Sequence, residues 1–262
     1  MGKVMQKAVL ITGCSSGIGL AAARYLRARD YRVLAACRQA RDAARLTAEG
    51  FEALTLDLDN PASVDAAADE VLRLTGSRLY GLFNNAGYGM YGALATLSRR
   101  QLEQQFSANL FGIHQLTQRL LPAMVPHGEG RIIQTSSVMG LICMPGRGAY
   151  AASKFALEAW SDTLRMELHG SGVQVSLIEP GPIATSFSTN LTHTRTDQRV
   201  TNPGIARRFT LPPEAVLPKL RHALESPRAR LRYPVTLVAH AMTWLRRCLP
   251  GRWLDRLLRG KH

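Results

Sequence analysis

No run of about 18 consecutive apolar residues occurs in this chain, so a bilayer-spanning helix is not expected. Cysteine is scarce: Cys14, Cys37, Cys143 and Cys248 are scattered, with no Cys-x-x-Cys pair and no Cys/His spacing suited to zinc. That argues against a disulfide framework and a metal site, and for free thiols in a reducing compartment. No internal repeat or low-complexity segment is present. Met1–Leu10 lacks the apolar stretch and cleavage site of a secretion leader and runs into a strand-like segment. The expectation is a soluble, cytoplasmic protein.

Acidic residues are also few, 19 against 33 basic ones, for a formal charge of +14. The imbalance is local. Met1–Asn190 holds 18 basic and 15 acidic residues, whereas Leu191–His262 holds 15 and 4. A nucleic acid or an anionic lipid would suit such a tail. No basic motif interleaved with aromatics supports nucleic acid, and none is expected as a partner.

What is present is alternation. Short apolar or β-branched runs cover Ala8–Thr12, Arg32–Ala36, Ala53–Leu56, Gly81–Asn84, Gly130–Thr135, Gln174–Ile178 and Leu231–Tyr233. Amphipathic stretches lie between them at Gly17–Ala28, Asp42–Glu49, Pro61–Leu74, Ser98–Leu121, Tyr150–His169 and Pro213–Leu224. Continuous apolar strands separated by helices predict a three-layer, doubly wound α/β fold on a mostly parallel sheet of seven strands. We expect one domain over residues 1–262. Pro180, Pro182, Pro203, Pro212 and Pro213 punctuate a long segment. It is expected to form a substrate loop over about 182–212.

The first strand leads into Thr12-Gly13-Cys14-Ser15-Ser16-Gly17-Ile18-Gly19 and then a helix. Glycine suits a turn with φ > 0 and lets backbone approach a pyrophosphate. The helix N-terminus offers free N–H groups and partial positive charge to that phosphate. The Gly-x-x-x-Gly-x-Gly spacing differs from the commoner Gly-x-Gly-x-x-Gly fingerprint.

This spacing resembles the short-chain dehydrogenase/reductase family, and other segments match it in order. They are Asn84-Asn85-Ala86-Gly87 after the fourth strand, Asn109 in the next helix, and Ser137 thirteen residues before Tyr150-x-x-x-Lys154. Pro180-Gly181 and Thr185 follow the sixth strand. Phe51–Asn60, Asn84–Tyr91, Ser136–Pro145 and Arg232–Thr236 are similar to a bacterial NADP-dependent aldehyde reductase branch. The 17β-hydroxysteroid and retinol dehydrogenases look more distant. The resemblance implies a Rossmann fold and a catalytic tetrad of Asn109, Ser137, Tyr150 and Lys154. It also implies cofactor contacts from Gly13, Ser15, Ser16, Gly17, Ile18, Gly19, Asp57, Leu58, Asn85, Ala86, Gly87, Tyr150, Lys154, Pro180, Gly181, Ile183 and Thr185.

Tyrosine has an ordinary pKa of about 10 and needs help to exchange a proton near neutrality. Tyr150 and Lys154 are one helical turn apart, so the ammonium, with an oxidised nicotinamide, is expected to favour the phenolate. Ser137 is expected to hold the substrate oxygen against Tyr150. The resemblance adds that Lys154 bonds the nicotinamide ribose and that Asn109 holds a water. The second strand ends Ala35-Ala36-Cys37-Arg38, with no acid before Asp42. Arg38 is therefore expected to bind a 2′-phosphate, with Ser15 or Ser16, making the cofactor NADP(H). Asp59 is a rival to Asp57 and could equally cap the helix that starts at Pro61.

The expected activity is NADP(H)-dependent reduction of aldehydes or ketones. The alternatives are a hydroxysteroid- or retinol-type alcohol dehydrogenase and a non-catalytic NADP(H)-binding regulator. A homodimer or homotetramer is expected through the helices Ser98–Leu121 and Tyr150–His169, the latter rich in small residues at Ala151, Ala152, Ala156 and Ala159. The C-terminal segment, about 235–262, mixes Trp244, Leu245, Trp253, Leu254, Leu257 and Leu258 with arginines, and Pro250-Gly251 splits it into two short helices. It either packs on the enzyme or makes peripheral contact with an anionic membrane.

Overall fold

The computed structural model describes residues 6–185, 192–193 and 209–259, the backbone alone at 192–193. Seven strands form one sheet: β1 (Ala8–Thr12), β2 (Arg32–Cys37), β3 (Glu52–Thr55), β4 (Gly81–Asn84), β6 (Gly130–Thr135), β7 (Val173–Glu179) and β9 (Arg232–Pro234). Their spatial order is β3-β2-β1-β4-β6-β7-β9, and all pairs are parallel. A separate parallel pair joins β5 (Met90–Tyr91) to β8 (Thr192–His193). β1, β4 and β6 span the residues expected of them, and the others differ by one residue at their ends.

Side-chain alternation explains the layers. Leu10, Leu34, Leu54, Leu82, Ile132 and Val175 point to one face. There they meet α3 (Pro61–Thr75), α5 (Gly112–Leu120) and α6 (Gly148–Glu167) through Val64, Val71, Ile113, Leu116 and Leu157. Val9, Ile11, Val33, Ala35, Phe83 and Ile178 point the other way. They pack on α1 (Gly17–Arg27), α2 (Ala40–Ala48) and α7 (Leu217–Glu225) through Ala22, Leu26, Leu46, Leu220 and Leu224. Each fully buried Leu or Ile contributes about 1.5–3 kcal/mol over its exposed state.

The helix expected over Ser98–Leu121 is not continuous. It begins as α4 (Arg99–Phe106), capped by a reciprocal box between Ser98 and Gln101. It then widens into a π-turn at Ser107–Phe111, where the Gly112 N–H reaches back to the Ser107 carbonyl, and resumes as α5. The segment expected as a helix from Pro213 opens as a 3₁₀ turn over Pro213–Val216 before α7. α2 starts two residues before Asp42. Asp59 does not cap α3: the Asn60 side chain accepts from the Ala62 and Ser63 N–H groups. Most of the loop expected over 182–212 (186–191 and 194–208) lies outside the described residues. The last elements are α8 (Leu237–Cys248) and α9 (Gly251–Leu258), divided at Pro250 as the sequence predicts. No described helix is long and apolar enough to cross a membrane.

Candidate active site

In an open parallel sheet, ligands bind beyond the C-terminal strand ends, where the strand order reverses. Here the order reverses between β1 and β4. A cleft of about 1500 Å³ opens there.

Its floor is built by glycine. Gly13 has φ +74°, and a Cβ on it would lie 2.9 Å from the Ala86 Cα. A Cβ on Gly19 would lie 2.2 Å from the Gly13 carbonyl oxygen. The turn therefore folds tightly enough to bring the N-terminus of α1 to the cleft. The Ser16 side chain makes no capping bond there, so the first N–H groups of α1 have no side-chain acceptor from it. Thr185 stands over this turn, 3.0 Å from where a Gly17 Cβ would be. This cradle, narrowed by glycine and next to a helix N-terminus, fits a pyrophosphate.

The neighbouring strand end is fastened to the turn. The Thr12 hydroxyl accepts from the backbone N–H groups of both Asn85 and Ala86 at 2.9 Å. The Asn85 amide donates to the Thr12 carbonyl and accepts from the Thr135 hydroxyl. Gly13, Ser15, Ser16 and Ile18 line the cleft with Arg38, Asp57, Leu58, Asn85, Ala86 and Gly87. Ser137, Tyr150, Lys154, Pro180, Gly181, Ile183 and Thr185 complete it from the other side. Gly17, Gly19 and Asn109 shape this cleft without being among its lining residues.

α6 brings Tyr150 and Lys154 to the cleft from one face. Tyr150 is buried, and its phenol is hydrogen-bonded with Ser137. Burial holds that phenol well above its ordinary range; Tyr91 adds to the shift, while Ser137 and Arg147 oppose it. Burial outweighs the nearby protein charges in this environment. Lys154 is buried too, which brings its ammonium down to about 8 against the pull of Glu158. Its Nζ donates to the Thr135 carbonyl at 2.8 Å and lies 5.9 Å from the centre of the Tyr150 ring.

Asn109 sits in the π-turn, a local widening that often marks functional positions. Its side chain is occupied: Nδ2 donates to the Tyr88 carbonyl and Ser153 Oγ, and Oδ1 accepts from the Tyr88 N–H. It therefore fixes the segment after Gly87 against α6. Thr12, Thr135, Tyr91 and Arg147 escaped the sequence reading. Thr12 and Thr135 could have been found as polar residues ending apolar strands. Tyr91 packs on Tyr150 with ring centres 6.2 Å apart, and Arg147 lies over Tyr91 at 5.1 Å. No spacing rule marks either.

Among the described residues, no group of three His, Cys, Asp or Glu side chains is placed to hold a metal ion.

Comparison with known proteins agrees with this construction. The short chain dehydrogenase family matches residues 7–196. The chain is 65% identical over 259 residues to the uncharacterized oxidoreductase YbbO of Escherichia coli K12, covering 99% of this chain and 96% of that protein. It is 42% identical over 187 residues to human retinol dehydrogenase 16, which is 70% of this chain and 58% of that protein. A short chain dehydrogenase/reductase from Burkholderia phymatum, solved in complex with NAD, superposes with a TM-score of 0.80 at 26% identity, covering 100% of this chain and 98% of that one. With the family match over residues 7–196 and the likeness along nearly the whole chain to an oxidoreductase, the chain belongs to the short-chain dehydrogenase/reductase family of oxidoreductases.

Proposed function

We propose that this protein is an NADP(H)-dependent reductase of aldehydes or ketones. One observation carries the reading: Ser137, Tyr150 and Lys154 share a single cleft with the glycine cradle and with Arg38. The sheet formed by residues 8–234 supports one catalytic domain, with 182–212 as its substrate loop.

When bound, the nicotinamide cofactor supplies the hydride. The protein's part is to hold the carbonyl and deliver a proton. Ser137 and the Tyr150 phenol, already hydrogen-bonded to each other, take the carbonyl oxygen between them. Tyr150 gives its proton to the developing alkoxide. Lys154, on the same helical face, would balance charge near the phenolate and would hold the cofactor ribose.

Arg38 directs the choice of cofactor. It follows β2 and lines the cleft, where a dinucleotide's adenosine ribose sits in this fold. No acid occupies residues 35–38 to claim the ribose hydroxyls. Asp57 and Leu58 would flank the adenine.

A second reading, oxidation of a steroid or retinoid alcohol, draws on the likeness to retinol dehydrogenase 16 and on the apolar part of the cleft at Met90, Tyr91, Val138 and Met139. The test is reduced-cofactor consumption with aldehydes, ketones and steroids, each with NADPH and NADH, and reduced-cofactor formation with steroid and retinoid alcohols, each with the two oxidised cofactors. Turnover of small aldehydes with NADPH supports the first reading. Activity confined to steroid or retinoid alcohols with an oxidised cofactor supports the second.

A further inference from the structure

The C-terminal elements leave apolar side chains in solvent. Ala239 is the single buried residue of α8, and α9 has none. Along α8, Leu237, Ala241, Trp244 and Cys248 are exposed at helical spacing i, i+4, i+7, i+11. On α9, Trp253 and Leu257 lie one turn apart, 64% and 54% exposed. Leu237 and Trp244 reach 77% and 68%. Isolated exposed leucines are ordinary, but two tryptophans and two leucines on adjoining helices form a surface that needs an explanation. None of these residues lines the cleft, so they are not a cover over the substrate.

Charge indicates the occupant. Residues 237–259 contain five arginines and a lone acid, Asp255. Arg246 is committed to the protein: it donates to the Leu141 carbonyl and stacks over Phe155 at 4.7 Å. Arg252, Arg256 and Arg259 form no ion pair with any described residue. A second copy brought face to face would meet its own positive charge. A nucleic acid would satisfy the arginines but has no use for exposed leucines. An anionic bilayer surface satisfies both, with tryptophan and leucine at the acyl boundary and arginine among the headgroups.

We propose that α8 and α9 form a docking surface for anionic lipid membranes, on which the enzyme lies without crossing them. Arg246 and the packing of α8 on the Val138–Gly140 turn fix this surface to the body of the protein. That same turn contributes Val138 and Met139 to the cleft.

The experiment is co-sedimentation of the full chain with vesicles of phosphatidylcholine alone, or mixed with phosphatidylglycerol, at low and high salt. Binding is expected to the mixed vesicles at low salt and to fall at least roughly fivefold at high salt. Two of the three tryptophans, Trp244 and Trp253, lie on the surface. Their emission should therefore shift to the blue on binding, and Trp244→Phe with Trp253→Phe should abolish the shift. A Trp253→Glu, Leu257→Glu variant, altered where nothing is buried, should keep its fold and lose sedimentation. Absence of sedimentation with the mixed vesicles at low salt overturns the proposal. So does undiminished binding by the Glu variant, or salt-sensitive capture of duplex DNA that the Glu variant retains in full.

Discussion

In the proposed reaction Tyr150 is the proton donor, and its phenol can be removed without disturbing packing. Tyr150→Phe should lower kcat by about two to four orders of magnitude while leaving cofactor affinity nearly unchanged. A kcat above a tenth of wild type would remove Tyr150 from the role of acid. Arg38 acts on a different step. NADPH should be favoured over NADH by at least roughly tenfold, since a charge-assisted bond contributes about 1.5–3 kcal/mol. Arg38→Asp should reverse that order in kcat/KM; equal KM values for both cofactors in the wild type would refute the assignment. Glu179 concerns stability. It is fully buried at the end of β7, near Glu158 and Asp162, with the Arg232 Nε 3.3 Å away. Burial, with Glu158 adding, pushes its carboxyl up to about 7. The folded state thus keeps a proton that the unfolded chain releases at lower pH. Stability contributed by that proton is complete below the ordinary carboxylate range and is lost as pH rises through about 7. Glu179→Gln cannot titrate, so it should gain on wild type by on the order of 1–2 kcal/mol between about pH 5 and about pH 8. Urea midpoints at the two pH values give the answer, and a gap that does not change with pH would contradict it.

At the scale of elements, the strands were legible because each combines a continuous apolar run with a clear punctuating turn, as in Ala8–Thr12 before Gly13. The glycine turn and the Ser137, Tyr150 and Lys154 spacing were legible because the chemistry demands particular residues at particular intervals. The π-turn was not. Ser107–Phe111 carries no glycine or proline, and a widened turn leaves the apolar period nearly intact. The burial that raises the Tyr150 phenol was hidden for another reason: it comes from elements distant in sequence. A prediction belongs here. The π-turn holds one more residue than an α-helical path needs. Deleting the exposed Phe111 should restore a regular helix and rotate Asn109 by roughly 100° away from Tyr88 and Ser153. Helix content by circular dichroism should stay near wild type while kcat falls at least roughly tenfold. Unchanged turnover would show that the widening has no bearing on the site.

For the whole molecule, two faces matter. α4, the π-turn and α6 leave Leu102, Phe111 and Met166 exposed, 38%, 57% and 62% respectively, and Ala152 and Ala159 lie open on α6. Trp160 and His114 tie α5 to α6 edge to face at 6.0 Å, which keeps this surface rigid. We expect a dimer or tetramer closed through these helices at micromolar concentration, measured by light scattering, and Ala152→Glu with Met166→Glu should drive it toward monomer. A wild-type monomer at that concentration would defeat the idea. The other consequence lies in Arg232 of β9, which ion-pairs with Glu158 and Asp162 of α6 and lies 3.3 Å from the carboxyl of Glu179 in β7. A ribosome delivers the chain in order, and domains begin to organise as they emerge. The three acids leave the tunnel well before Arg232 does. Until it arrives they have to be kept wet, protonated or apart, so the helix that carries Tyr150 and Lys154 cannot settle at low cost on a partial chain. The last strand of the sheet is thus the counter-charge that lets α6 dock, and a nascent chain stalled before residue 232 has its glycine turn but no settled α6 beside the cleft.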